Sequence, residues 1–420
     1  MDADQEITKN NSQIEQNIEI AHIVTYPSLG QKHSNFSALA GYTKNLIDGF
    51  EEKDKIKQIV LSNIKEIWQK SFEFDGVLVK EIWTRGDLFF WWSIFQYLRK
   101  NKQIKVVHLQ HEFNMFGGLI SIILIPWLLF LINTVLRRKV VATFHEIFSP
   151  KLINKNFMEA NNLFLPTWLA TIVFYFYFQL TILLFIDKVI VHDDFFKNIL
   201  KEEYHFKNKV VTIAHGVEDL NWTMEKQEAK SKLGLENDKK VLMFFGFLAG
   251  YKGVELLIEG YKKLENRGEY KLIIAGGKVK RVANDPRYKA WLEKIMDDCK
   301  TLEIDTPGFV KNEDIETYFR ASDLLILPYL TPQSMSGIMA MAVGFKQPFI
   351  ASQSFEQRVD DQWLFNLQPE ALASKIEWFF QNQQNAVDMI SYLKTMKQER
   401  LWVVIASQTQ QIYNQLLSNK

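Results

Sequence analysis

Residues along this 420-residue chain fall into short, largely apolar, strand-like runs separated by longer mixed segments. In the first half the runs are residues 20–25, 59–62, 76–79, 106–110, 140–144, 188–192 and 209–213. The segments between them, such as 38–50 and 88–100, have helical length or periodicity. Strand-sized runs that are apolar throughout belong to sheets covered on both faces, so repeated β–α units and a parallel sheet are predicted. A polar, charged stretch without strand signal follows at 218–237. The pattern then restarts with strands at 240–245, 270–275, 304–306, 324–327 and 349–351 and helices at 254–266, 286–298 and 312–321. Residues 402–417 read as an amphipathic helix. The expectation is α/β: two doubly wound, Rossmann-like domains, 1–217 and 238–400, joined by a linker, 218–237, and closed by a final helix in 401–420. Ligands of such sheets bind at the carboxyl ends of the strands, here in a cleft facing both sheets.

Length agrees, because a single core does not grow to this size. Charge is balanced, 50 basic against 49 acidic residues, so nothing points to a nucleic-acid binder. The lone cysteine, Cys299, can form neither an internal disulfide nor a zinc site and fits a reducing cytosol. Residues 1–17 are polar and acidic and lack the apolar core of a secretory signal.

Two apolar segments change the picture. Residues 119–136 begin with an apolar run that contains Pro126 and end on Arg137-Arg-Lys139 side; residues 163–186 carry no charge and are long enough to span a bilayer. If both spanned, residues 137–162 would lie across the membrane with strand 140–144, which the first sheet needs. If only the second spanned, the two domains would be separated. The favoured expectation is two helices dipping into one leaflet, their basic flanks meeting anionic lipid, on a cytoplasmic protein peripheral to the inner face of the cell membrane. Buried packing or a dimer face is the other reading.

Candidate chemistry lies in two loops. Phe245-Gly-Phe-Leu-Ala-Gly-Tyr-Lys-Gly253 follows a strand and opens a helix, so Gly246 and Gly250 allow tight backbone near a ligand and Lys252 lies at the helix start. The second loop runs from Pro328-Tyr through Ser334-Met-Ser-Gly337 into a small-residue helix, where amides and a helix N-terminus offer a phosphate site. Lysine beside amide donors suits a diphosphate; a plain turn with a solvated lysine is the bland alternative. The acidic pairs Asp193-Asp194, Asp297-Asp298 and Asp360-Asp361 sit among charged stretches and read as solvated or capping, so no metal site is expected. The basic loop 278–281 reads as solvated, with a contact to an acceptor phosphate as the alternative.

Together with residues 106–113, 140–148, 213–217 and the tryptophan-led 401–417, these loops resemble family 4 glycosyltransferases of the GT-B fold over nearly the whole chain. The resemblance implies a nucleotide-sugar donor, a saccharide or lipid-linked acceptor as in polysaccharide or glycolipid assembly, retention of anomeric configuration, no metal and no cofactor. It implies that the last helix packs back on the first domain. Lys252 would neutralise the leaving diphosphate and His145 would reach the transferred sugar. Gly246, Phe247, Gly250, Gln333, Ser336, Gly337 and Ile338 would form the donor side, and His111 and Glu112 the acceptor side. His145, His111 and Glu112 each keep a structural alternative; His108 reads as core and His215 as a structural cap. Two departures stand out. Phe247 occupies the place of an arginine in many relatives. The usual Glu-x7-Glu pair is replaced by Thr331 and Met339, or by Gln333 and Met341, depending on the counting frame. A methionine accepts hydrogen bonds weakly, so ribose or sugar contacts must come from elsewhere. The rival readings are a non-catalytic GT-B subunit that binds a partner enzyme or membrane, and a GT-B epimerase, which would need carboxylates not found here.

Overall fold

The computed structural model describes residues 17–26, 38–64, 71–113, 115–147, 149–153, 158, 165–206, 208–279, 282–331 and 336–418. The chain divides into two compact units, Met1–Gly216 with Trp402–Lys420, and Val217–Leu401.

The first unit holds strands β1 (Ile20–Ile23), β2 (Gln58–Asn63), β3 (Ser71–Phe74), β4 (Val77–Trp83), β5 (Val106–His111), β6 (Lys139–Phe144), β7 (Lys188–Val191) and β8 (Val210–Thr212). Among the described residues they form one sheet in the order β3-β4-β2-β1-β5-β6-β7-β8. All pairs are parallel except β3 with β4. That antiparallel edge corrects the purely parallel expectation. Its turn, Asp75-Gly76, has positive φ at both residues (49° and 79°), the hairpin geometry an Asp-Gly pair adopts readily. Strand β5 is buried along its whole length, its polar His108, Gln110 and His111 included. The strand order runs outward from β1 through β2 to one edge and from β5 through β6 to the other, which places the switch point of this sheet between β1 and β5. Helix α1 (Ala38–Asp48) and the C-terminal helix (Trp402–Ser418) share one apolar cluster with Ile20, Val106 and Ile213. A side chain on Gly216 would lie 2.3 Å from the Trp402 ring, so glycine is required where that indole packs.

Helix α2 (Phe90–Lys100) packs beside the first apolar segment, which forms α3 (Leu119–Phe130) and a π-helical turn, Leu131–Val135. The second forms α4 (Thr167–Phe178) and a π-helical turn, Gln179–Leu184. Each buries one face: Leu128 and Ile132 from one, Phe178 and Ile182 from the other, are fully buried. Their other faces expose Ile120, Ile123, Trp168 and Phe176. Among the described residues, no helix is long and apolar enough to cross a membrane.

The second unit holds β9 (Lys240–Phe245), β10 (Tyr270–Ala275), β11 (Leu324–Leu327), β12 (Phe349–Ser352) and β13 (Leu364–Phe365), all parallel, in the order β10-β9-β11-β12-β13. Residues 304–306, expected as a strand, make only a single bridge, Ile273 to Asp305. Two residues of strand at β13 extend the far edge instead. The stretch 218–237 contains a short helix, Lys226–Lys232, tied to the sheet by the Lys226–Asp323 ion pair. Helices α5 (Val254–Lys262), α6 (Pro286–Thr301) and α7 (Gly337–Phe345) complete the β–α alternation. The chain leaves β9 toward β10 and returns to β11 on the other side, so the switch point lies between β9 and β11.

Candidate active site

In the second unit the loops after β9 and β11 flank that switch point. Their contact is backbone to backbone. The amide of Leu330 donates to the Tyr251 carbonyl at 2.8 Å. Gly253 adopts φ 69°, and a Cβ there would sit 2.0 Å from the Pro328 carbonyl oxygen, a separation only glycine tolerates. Residues Gly250–Lys252 form a single 3₁₀ turn ahead of α5, and Lys252 turns inward to 8% exposure.

Its ammonium lies 5.5 Å from the centre of the buried Tyr329 ring and makes no ion pair or hydrogen bond with any described residue. Burial pushes its pKa down to about 8. A buried cation without a counter-charge is costly, and the missing partner is what a bound anion supplies. Gly246 lies beside it. Its φ is 123°, and a Cβ built there would be 2.7 Å from Lys252 Nζ and 3.4 Å from Ile338 Cγ1. Gly246, Lys252 and Ile338 therefore converge on one point.

Ile338 is in the first turn of α7. Ser336 caps that helix, its hydroxyl accepting from the Met339 amide at 3.1 Å. This leaves the Gly337 and Ile338 amides as helix N-terminal donors. Ser336→Ala is expected to cost about 1 kcal/mol of stability, measured by chemical denaturation, and to weaken anion binding at the same end.

Other donor-side residues are dispersed. Gly250 is exposed, with nothing near an added Cβ. Phe247 is 48% exposed and stacks at 6.2 Å on Phe309, itself exposed, so the position of the absent arginine carries an aromatic pair. Gln333 lies outside the described residues. No carboxylate occurs between Asp323 and Glu356.

In the first unit, three histidines follow the ends of three adjacent parallel strands. β6 ends at Phe144, β7 at Val191 and β8 at Thr212, and register sets His145 beside His192. His145 is half-buried. Its Nε2 lies 2.9 Å from the Gln110 amide oxygen and its Nδ1 3.2 Å from His192 Nε2. Burial first, then the neighbouring His192, His215, His108 and His111, hold its pKa well below the ordinary 6.5. Tyr42 of α1 packs edge-on to the rings of His145 and His215. His215 also meets the Trp402 indole.

His111 differs from expectation. It is fully buried, stacked on Phe144 at 4.3 Å, with Nε2 2.7 Å from the Tyr177 hydroxyl. Burial lowers its pKa to about 3. As the last residue of β5 it points into the packing under α4, so it is a core histidine and not an acceptor contact. Glu112, one residue on, is half-buried; burial raises its pKa, and Arg85 opposes that. His192, Gln110, Tyr42 and Tyr329 were not singled out from sequence. The usable signal for His192 was its position, since it closes a strand run as His145 follows one.

Two family models match this chain, "Glycosyltransferase Family 4" over residues 76–219 and "Glycosyl transferases group 1" over residues 225–396. An uncharacterized glycosyltransferase of Methanocaldococcus jannaschii is 24% identical over 222 residues, 49% of this chain and 54% of that protein. The mannosylfructose-phosphate synthase of Agrobacterium fabrum is 30% identical over 38% of this chain and 36% of its own. The match thus spans about half the length of the first relative and about a third of the second. Among solved structures, the sucrose-phosphate synthase of Thermosynechococcus elongatus superposes with a TM-score of 0.73 at 16% identity, over 96% of this chain and all of that one. Anabaena HepE in complex with UDP gives 0.69 at 13%, over 95% and 100%. The fold is the GT-B fold of these solved structures, and each unit carries a match to a glycosyltransferase family model. More particularly, its first unit carries the Family 4 match and its second the group 1 match.

Proposed function

We propose that this protein transfers a sugar from a nucleoside-diphosphate donor to an acceptor, with retention and without a metal. One observation carries the reading: Lys252 is buried and, among the described residues, without a counter-charge, beside Gly246 and the first turn of α7, at the switch point of the second sheet. Breaking the anomeric bond builds oxocarbenium character on the sugar and negative charge on the departing diphosphate. Lys252 and the α7 amides meet that charge. The leaving phosphate takes the acceptor's proton, and the acceptor attacks the face the diphosphate vacates. Calorimetry with a panel of nucleotide sugars is the first test. At least one donor is expected to bind, and no binding by any of them would remove the reading. Anomeric proton couplings of the product report retention, and turnover is expected to survive a chelator.

The acceptor is proposed to be lipid-linked, with the chain peripheral to the inner face of the cell membrane. The exposed apolar faces of α3 and α4, near Arg137, Arg138 and Lys139, support this. Vesicles containing anionic lipid are expected to carry the protein upward in flotation. Replacing Trp168 and Phe176 together by serine is expected to weaken that partition roughly tenfold or more. Protein that stays at the bottom of the gradient with every vesicle would defeat the lipid arm alone.

A second reading, a non-catalytic GT-B subunit that binds a partner enzyme or membrane, is favoured by the lack of a carboxylate between Asp323 and Glu356. Donor binding without turnover on any acceptor would select it.

A further inference from the structure

A line of hydrogen-bonding side chains crosses the first unit beneath His145. It starts in the C-terminal helix, where the Tyr413 hydroxyl lies 2.5 Å from His108 Nδ1. His108 Nε2 is 2.8 Å from Thr143 Oγ1 and 3.4 Å from the Gln110 amide. The other end of that amide faces His145 Nε2 at 2.9 Å, and His145 Nδ1 faces His192 Nε2 at 3.2 Å. The line ends where His192 Nδ1 lies 3.2 Å from the Ile213 carbonyl oxygen. Tyr413, His108, Gln110, Thr143 and His192 are all buried.

For a neutral His192, the carbonyl at the end sets the direction of the protons from His192 to Gln110. It can only accept, so His192 carries its proton on Nδ1. Neutral His192 then has a lone pair on Nε2 and must accept from His145 Nδ1–H. Neutral His145 in turn has a lone pair on Nε2, so the Gln110 carboxamide, placed with its oxygen on His145 Nε2 and its nitrogen on His108 Nε2, must be turned end for end to present its NH₂ to His145 and its oxygen to His108 Nε2–H. The nitrogen and oxygen ends of an amide are assigned from such networks. His108 Nδ1 then accepts from the Tyr413 hydroxyl. The opposite polarity would set a lone pair of neutral His192 against the Ile213 carbonyl.

We infer that Gln110 and His192 are positioning residues that hold His145 as the Nδ1–H tautomer, keeping Nε2 as the lone pair that a hydroxyl of the arriving sugar takes over from the Gln110 amide. The inference rests on the proposed transfer reaction for its purpose, but the tautomer is a property of the protein alone. It also gives the C-terminal helix a part in the chemistry, because Tyr413 closes the line from the far side.

Gln110→Glu is the discriminating variant. A carboxylate of the same shape can only accept, so it forces a proton onto His145 Nε2. Long-range proton–nitrogen spectra of the full chain with labelled histidine, near neutral pH, read the tautomer directly, and the His145 signals are identified by their loss in His145→Gln. The wild type is expected to show His145 protonated on Nδ1 only. The Gln110→Glu protein is expected to show Nε2 protonated. Wild-type His145 protonated on Nε2, or a spectrum unchanged by Gln110→Glu, would overturn the inference.

Turnover gives the second reading. Gln110→Glu is expected to lower kcat about 100-fold while the affinity for UDP, measured by calorimetry, stays within about twofold, since Lys252 is in the other unit. Equal losses in both would mark a folding defect rather than a positioning one and would also count against it. If the wild type binds no nucleotide sugar at all, the transfer reading fails while the tautomer result still decides the proton arrangement.

Discussion

Lys252→Met is expected to stabilise the free protein and to abolish its affinity for nucleotide sugars, two effects of opposite sign from one substitution. In the free protein the ammonium is buried without a partner among the described residues, and its pKa falls to about 8 from the ordinary 10.5. That gap is worth about 3 kcal/mol against the charged form. Methionine fills the same volume without a charge, so the melting temperature is expected to rise by several degrees. The sign with pH follows from proton counts. Between pH 8 and 10.5 the unfolded chain holds a proton that the folded one has released, so stability rises with pH across that window, and below it the penalty is present in full. Affinity for a diphosphate runs the other way. It is highest while Lys252 is protonated and falls as pH climbs past about 8. Thermal unfolding and calorimetry on the same two proteins measure both. A methionine variant that is less stable than wild type, or that binds donor normally, would remove Lys252 from the proposed role.

The glycines of the same loop are expected to separate sharply. Gly246→Ala places a Cβ 2.7 Å from Lys252 Nζ at a φ of 123°, and Gly253→Ala drives one to 2.0 Å from the Pro328 oxygen at 69°. Backbone strain of this kind costs of order 1–3 kcal/mol before the clash is counted. For Gly253 the obstacle is backbone, so the β9 and β11 loops must part. For Gly246 the obstacle is the tip of a lysine, so the chain can survive with Lys252 displaced, and the loss appears chiefly in donor binding. Gly250→Ala meets nothing within 4 Å and is expected to be nearly silent in both measurements. If all three behaved alike in urea titration and donor calorimetry, the loop geometry described above would be wrong.

How much of this was legible beforehand differs by residue. Strands 240–245, 270–275 and 324–327 were readable to the residue, because a central parallel strand is apolar on both faces and its run has clear ends. The hairpin at Ser71–Phe74 was not, since an edge strand buries too little to leave an unbroken apolar run. Its Asp75-Gly76 turn was the available cue. The apolar segments gave their hydrophobicity but not its disposition. Only packing against the core decided that Leu128 and Phe178 turn inward while Ile123 and Phe176 stay outside.

By itself, then, the sequence determined two doubly wound sheets and the loops at which glycine and lysine gather. Those are local properties, set by runs of side chains and by the backbone freedom of single residues. Tertiary structure alone decided the charge environment of Lys252 and the company of His145. Among the described residues Lys252 has no counter-charge, and neither the loop after β9 nor the loop after β11 contains a carboxylate. His145 met Gln110 and His192 because parallel register aligns the ends of strands far apart in the chain. Burial and register are sums over contacts between distant residues, and no local window contains them.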